Sequence, residues 1–401
     1  MKGLLMDVSE SHIGRRIREV RTWRGLSQTT AAELAGITGP YLSMIERGVR
    51  PVTKRAVLEG IAQALRVSPA ELTGKPYAPS DASSAVAHAA MAAVSDALSG
   101  WSVGEFPEVP DRPWQAVQAD VDRLNLTLHP NADYSAQAEL LPDLIAHLLS
   151  AVGTEHRTDA LVGLLSAYRA AGSLARDLGV AGLPMLAVER MRQVAEQLDD
   201  PVWLAYAAYR RAQLLTGGNR TRQRQLAVAA ADVPGARVEV KGMAHLAAAL
   251  ACAVESQADE ALTHMAEAAA LAELIESDVS SWMQMSFGRT NVGIWRVAIG
   301  VELGEGAKVA EIASGFTPGG VSRSRQAAFW IDYGRGLLAE RKFQEQGLAG
   351  LLRAEKLAPQ MVRNNVFVRE AVGSLLSNAR RNAGSRELRG LAWRVGISPN
   401  G

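Results

Sequence analysis

Apolar residues along this chain recur at helical spacing. In HIGRRIREVRTWRGL, residues 12–26, Ile13, Ile17 and Val20 fall three and four apart, on one face of a helix. Period-two alternation of apolar and polar residues, the mark of a half-buried strand, does not recur. Runs rich in Ala, Leu, Arg and Glu are broken by Gly, Pro or Asp clusters: GVAGLP at 179–184, DDP at 199–201, TGGN at 216–219, DVPG at 232–235 and FTPGG at 316–320. The pattern predicts an all-α protein in three segments. Residues 1–74 form a compact set of helices. KPYAPSDASS, residues 75–84, is rich in Pro and Ser and predicts a linker, and a connecting helix with a Pro-rich break at 106–113 extends this segment to residue 130. From 131 to 401 helices come in pairs.

SQTTAAELAGITGPYLSMIE, residues 27–46, carries the signals of two helices joined by a tight turn. Ser27 is suited to cap the first helix and Thr38 the second. Gly36 falls in the turn, where positive φ is wanted. Ala32 falls where the helices cross, so only a small side chain fits, and Ile37, Leu42 and Ile45 are the expected buried residues. Pro40 lies in the first turn of the second helix, where a missing N–H costs nothing. Residues 53–74 add two more helices, with Thr53 and Ser68 as expected caps. LSQ at 26–28, AGI at 35–37, YLSMIERG at 41–48 and ALRVSPAEL at 64–72 carry a resemblance to the XRE family of lambda-repressor-like regulators over residues 11–74.

That resemblance implies a five-helix, helix-turn-helix domain that binds double-stranded DNA as a homodimer on a two-fold site. The side chains facing bases then come from the start of the second helix and one turn on: Thr38, Gly39, Pro40, Tyr41 and Met44, with Ser43 nearby. None is an Arg, Asn or Gln, and only Tyr41 and Ser43 offer direct hydrogen bonds to base edges. Gly39 and Pro40 would instead bring backbone and ring close to the bases. Affinity is therefore expected to rest on phosphates, through Gln28 and Thr29 at the start of the first helix and through Arg15, Arg16, Arg47 and Arg50. DNA shape is expected to add specificity. Arg18 and Arg21 are expected to be solvated surface charges.

Charge distribution agrees. Residues 1–75 hold 12 Lys/Arg against 7 Asp/Glu, whereas the remainder holds 31 against 35. A basic head precedes a mildly acidic body, although the whole chain carries only +1. The 48% apolar content excludes a disordered chain. Cys252 is the only cysteine, which excludes an intrachain disulfide framework or a thiolate metal cluster. The short apolar run in MKGLLMDVSESH is not a signal peptide, and no stretch nears the roughly 18 apolar residues of a membrane span. A soluble, cytoplasmic protein with no membrane contact is expected.

The later helices repeat. Trp330, Tyr333, Gly334 and Leu337 are spaced W-x-x-Y-G-x-x-L, followed by Gly347, Leu351, Ala354 and Pro359. This resembles the tetratricopeptide (TPR) consensus with one extra loop residue. Gly306, Ala310, Ala313 and Pro318 repeat the second half, as do Ala261, Met265 and Ala268 in part. Equivalent alanines at 268, 313 and 354 are 45 and 41 residues apart, longer than standard repeats. Residues 287–313 and 368–397 look typical of actinomycete XRE regulators with repeat C-termini, and the architecture resembles that of peptide-pheromone-sensing regulators. It implies a TPR-like α-solenoid that holds a peptide or small-molecule effector in its groove. Arg289, Asn291, Arg296, Arg325, Tyr333, Asn364 and Asn365 are the expected lining residues, because amides inside apolar helices want a reason. Trp203, Trp330 and Trp393 are expected to pack, and Cys252 to be a small buried hydrophobe. The seven His show no metal-ligand spacing, and no phosphate loop, nucleophile elbow or poised carboxylate pair is present. We therefore expect neither metal nor cofactor, and no enzymatic activity. A second reading is a TPR scaffold that binds a partner protein.

Overall fold

The computed structural model describes residues 13–73, 82–215, 219–379 and 386–397. The N-terminal run through His12 and residues 75–81 of the expected linker lie outside these. The described residues form helices joined by turns and loops, with two isolated bridges and no β-strand, so the all-α expectation holds. No helix among them is long and apolar enough to cross a membrane.

Five helices build the head: α1 (Ile13–Trp23), α2 (Gln28–Leu34), α3 (Gly39–Glu46), α4 (Arg55–Ala64) and α5 (Pro69–Thr73). Local chemistry sets their ends. Ser27 Oγ accepts from Thr30 N–H at 3.0 Å, and Thr38 Oγ1 accepts from Tyr41 N–H at 3.4 Å. Gly36 turns the chain between α2 and α3 with φ of +67°. Ser68 and Glu71 cap α5 reciprocally, each side chain accepting the other's N–H at 3.2 Å. Ile13, Ile17, Ala32, Leu42, Ile45, Ile61 and Leu65 close one core.

The body starts at α6 (Ala82–Gly100), followed by α7 (Trp114–Arg123), which runs into a π-helical segment at Leu124–Leu128. Then come α8 (Tyr134–Ala151), α9 (Arg157–Asp177), α10 (Leu183–Leu198), α11 (Pro201–Leu214), α12 (Arg220–Ala231), α13 (Val238–Val254) and α14 (Ala258–Ala272). The rest are α15 (Arg289–Leu303), α16 (Val309–Ser314), α17 (Arg323–Leu338), α18 (Gln344–Leu357), α19 (Pro359–Asn364), α20 (Val366–Ala379) and α21 (Arg386–Arg394). The sequence pattern treats residues 85–130 as a connector. In the fold α6 is part of the body: its Ala87, Met91, Val94 and Leu98 share one core with α8 to α10, because their helical spacing gives it an apolar face of its own.

Successive helices pair as α9/α10, α11/α12, α13/α14 and α17/α18, each second helix packing also on the next pair. The first helices of the pairs, from α9 to α17 by odd numbers, touch in sequence and form an inner row. Small residues permit this closeness. A Cβ on Gly334 would lie 2.9 Å from the carbonyl oxygen of Gly347 across the α17/α18 crossing. That neighbour is backbone and cannot move aside, so Gly334→Ala should lower stability by about 1–3 kcal/mol. An unchanged denaturation midpoint would show that the crossing tolerates more bulk. The α15/α16 pair is irregular: its second helix has only six residues, cut short before FTPGG. Trp393 departs from expectation. It is 67% exposed, because the apolar face of α21 is carried by Leu388, Leu391 and Ala392.

The head is fixed to the body by acids at helix N-termini. Thr53 does not cap α4. The cap residue is Lys54, without a side-chain bond, and the carboxylate that serves α4 is Glu302 of α15. Glu302 accepts from the Arg55 N–H at 2.8 Å and from its guanidinium at 2.5 Å. Arg335 of α17 is fully buried and donates to Glu302 at 2.9 Å, to Asp332 at 2.6 Å and to the Thr53 carbonyl at 3.1 Å. Burial opposes charge on Glu302, but Arg55 and Arg335 outweigh it and hold the carboxyl below its ordinary pKa. Glu370 of α20 accepts from Ile13 N–H at the described start of α1, at 3.1 Å. Phe367 enters the head's own core, with the Arg335 guanidinium 4.3 Å from its ring centroid. Arg220 of α12 pairs with Glu59 at 2.5 Å.

Candidate nucleic-acid interface

These latches fall on α1, on α4 and just before α4, and α2 and α3 carry none of them. Their scaffold is a three-way lock. Buried Glu46, at the end of α3, accepts from Arg21 Nε at 2.6 Å and NH2 at 3.0 Å, and from Gln28 Nε2 at 2.8 Å. Arg21 also donates to the Leu26 carbonyl at 2.8 Å. The lock ties α1, α2 and α3 together with a bidentate pair. Arg21 is therefore not a solvated charge, as its spacing on α1 suggested; its partner lies 25 residues away, beyond the reach of local pattern. Gln28 is held rather than loose, its amide fixed at the first position of α2.

Around this scaffold, Thr29, Thr38, Pro40, Arg47 and Arg50 are exposed, and Gly39, Tyr41, Ser43 and Met44 are half-buried. A Cβ on Gly39 would meet nothing within 4 Å, so the space before the first turn of α3 is open. Pro40 lies in that turn, leaving a smooth, donor-poor tip. Tyr41 packs its ring against the head core, and burial pushes its phenol pKa up against the pull of nearby Arg50. Arg47 Nε donates to the Ser43 carbonyl at 3.2 Å, which holds its stem along α3. Arg15 and Arg16 stand on the outer face of α1, both near Glu19, at 2.9 and 3.5 Å. Arg16 also reaches the Glu71 carbonyl of α5 at 3.4 Å. The structure thus gathers the α2 start, the α3 start, Arg47 and Arg50 around one lock, and places Arg15 and Arg16 on α1 with an acidic neighbour.

Residues 12–73 match the family model described as a helix-turn-helix domain. The chain is similar to y4wC of Sinorhizobium fredii, named an HTH-type transcriptional regulator, with 40% identity over 60 residues. It is also similar to the HTH-type transcriptional regulator RamB of Mycobacterium tuberculosis, with 39% identity over 51 residues. These matches cover 15% and 13% of this chain, and 41% and 11% of the relatives. No solved structure matches the chain.

The residues expected to line one groove in the body do not form one. Asn365 Oδ1 accepts from the N–H groups of Phe367 and Val368 at 3.0 and 3.1 Å, so it caps α20. Asn364 Nδ2 donates to the Gln360 carbonyl at 2.8 Å within α19. Arg296 is engaged bidentately by Glu305 at 2.9 and 2.8 Å. Tyr333 belongs to an aromatic cluster with Phe329 and Trp330. Arg289 and Arg296 line an open groove of about 570 Å³ between α14, α15 and α16, with Met265 and Phe316. Asn291 and Arg325 do meet, Arg325 Nε donating to Asn291 Oδ1 at 2.7 Å. They sit on the inner row instead, where sequence reasoning missed their neighbours Arg169, Tyr206, Tyr209 and Arg210. A signal was present: AYRAA at 167–171 and AYRRA at 208–212 place Tyr168 and Tyr209 one 41-residue repeat apart. Cys252 is fully buried, as its apolar setting implied.

Proposed function

We propose that this protein is a transcriptional regulator that binds double-stranded DNA through α2 and α3 of its head. Its body of TPR-like helix pairs senses an effector, a peptide or small molecule, and sets the spacing of two heads in a homodimer. The carrying observation is the open start of α3 on a head bolted to the body through α1 and α4. A head fixed in this way moves with α12, α15, α17 and α20, so a change of body shape becomes a change of head placement. An effector achieves that through different affinity for two body shapes. No catalytic step is assigned to any residue.

With few base-edge donors, binding rests on phosphates and is steeply salt-dependent. Fluorescence anisotropy on the DNA upstream of the protein's own gene tests this. Binding at low salt that survives competitor DNA is expected. Binding to no DNA at any salt would favour the scaffold reading. Arg47→Ala and Arg50→Ala should each weaken all sequences alike and flatten the log–log salt slope by about 0.9. A slope unchanged in both variants would remove these arginines from the interface.

A further inference from the structure

The inner row gathers four arginines, and three of them have no paired counter-charge among the described residues. Arg169 and Arg176 come from α9, Arg210 from α11 and Arg325 from α17. Arg176 has Asp177 at 2.8 Å, and Asp177 also accepts from the Tyr134 hydroxyl at 2.8 Å. The other three meet only neutral groups. Arg169 donates to Asn125 Oδ1 at 3.0 Å and faces the His129 ring at 3.4 Å. Arg210 donates to Ser173 Oγ at 2.9 Å and to Gln213. Arg325 bonds Asn291 and lies over the Trp295 ring at 4.9 Å. The acid that Arg325 feels most, Asp332, is already held by Arg335.

Several of their donors are unused. Among the described residues, Arg169 Nε, Arg210 Nε, Arg325 NH2, Tyr206 Oη and Trp295 Nε1 have no hydrogen-bond partner although they are buried. Arg169 is 2% exposed and Tyr206 0%. Burial without a counter-charge pushes both Arg169 and Arg325 down to about 10, which leaves them charged at neutral pH. Such charges cost several kcal/mol each unless something pairs with them. Buried donors left over in this number point to a function.

Arg176 keeps 40% of its side chain accessible and Arg325 part of its surface, so the cluster is not sealed from solvent on every side. The first body segments also reach α17 and α19. The Arg323 N–H donates to the Pro130 carbonyl at 2.8 Å, and Gln360 of α19 reaches Ser135 of α8 at 3.3 Å.

We propose that this arginine cluster binds a small multivalent oxyanion, a polycarboxylate or a phosphate ester, gripped by Arg169, Arg210 and Arg325 with Tyr206 donating a further hydrogen bond. The proposal rests on the sensing role given to the body above, and it names the chemistry of the effector. Arginine forks match carboxylate and phosphate oxygens two at a time, and three uncompensated charges favour a ligand with more than one negative charge. The open groove at Arg289 is a different place: there both arginines already face acids.

Citrate and pyrophosphate are the probes, used at matched ionic strength in thermal-shift and calorimetric titrations of the full chain. Saturable binding of one of them, with a raised melting temperature, is expected, and which of the two binds separates the carboxylate from the phosphate source. Arg169→Gln and Arg210→Gln should each weaken it at least tenfold, whereas Arg289→Gln should not. Without ligand, the two Gln variants should melt no lower than the wild type, because each removes an unpaired buried charge. Absence of saturable binding by both probes, loss of binding in Arg289→Gln alone, or clear destabilisation of the ligand-free Gln variants would each overturn the assignment. DNA binding measured on the same samples keeps the outcomes apart: an intact gel shift with no anion binding refutes the anion site and leaves the regulator standing.

Discussion

Arg335→Ala should loosen the head from the body and cost about 3–5 kcal/mol, the usual penalty for breaking a buried ion pair from one side. Arg335 is fully buried, and its removal strands three acceptors at once: Glu302, Asp332 and the Thr53 carbonyl. Glu302 keeps Arg55, so the cap on α4 is weakened but not abolished. Asp332 loses its hydrogen-bond partner and keeps only the more distant pull of Arg55 and Arg325. The loss should therefore be local. Amide exchange should quicken at the start of α4 and at Val52 to Arg55, while protection in α9 to α14 stays as it was. A double-mutant cycle with Glu302→Gln should return a coupling of roughly 1–3 kcal/mol, since the two side chains share one hydrogen bond. Unchanged exchange at the head would mean that it is held by packing around Phe367 and not by the ion cluster.

The head was legible from local sequence because its signals are local. Ser27, Gly36, Thr38 and Ser68 act within three or four residues of where they stand. The errors fall where the partner is far along the chain. Thr53 looked like a cap, but the carboxylate that serves α4 lies 247 residues beyond Arg55. Arg21 looked solvated, but Glu46 buries it. In the body, helical period and small residues at crossings were readable, and they gave the pairs. Which face of each helix turns inward was not, because an apolar helix packed on both sides has no polar stripe to mark it. Asn291 and Arg325 were singled out because polar groups inside apolar helices are conspicuous. Arg169 and Arg210 satisfy the same criterion and were hidden only by the alanines around them.

One helix joins the two halves of this picture. α17 carries Arg325 at its inner end and Asp332 and Arg335 two to three turns later, and Asp332 acts electrostatically on both Arg325 and Arg55. Seven residues is nearly two full turns, so Arg325 and Asp332 share a face. An anion that satisfies Arg325 also screens its pull on Asp332, and Asp332 is a partner of the arginine that holds Thr53. Under the proposed sensing role, one helix separates the anion from the latch, and no longer relay is required.

Gly39→Glu should abolish specific DNA binding without harming the fold. The new side chain has open space before it, and a carboxylate in the first turn of a helix is favoured by about 0.3–1 kcal/mol. Melting should therefore stay level or rise slightly. At the DNA surface the same charge stands where α3 approaches phosphates and the acceptor-rich groove floor, and like-charge juxtaposition costs several kcal/mol. A loss of about 3 kcal/mol corresponds to a roughly hundredfold weaker complex. Gly39→Ala is the companion variant: it adds bulk without charge, so it should discriminate among sequences more than it weakens them all. Both are read by anisotropy beside a thermal melt. Neither touches the inner row, so any anion-induced rise in melting temperature should survive in Gly39→Glu. Full DNA affinity in that variant, alongside weakened binding in Arg47→Ala, would place the DNA against the end of α3 and not its start, and the donor-poor tip formed by Gly39 and Pro40 would need another explanation.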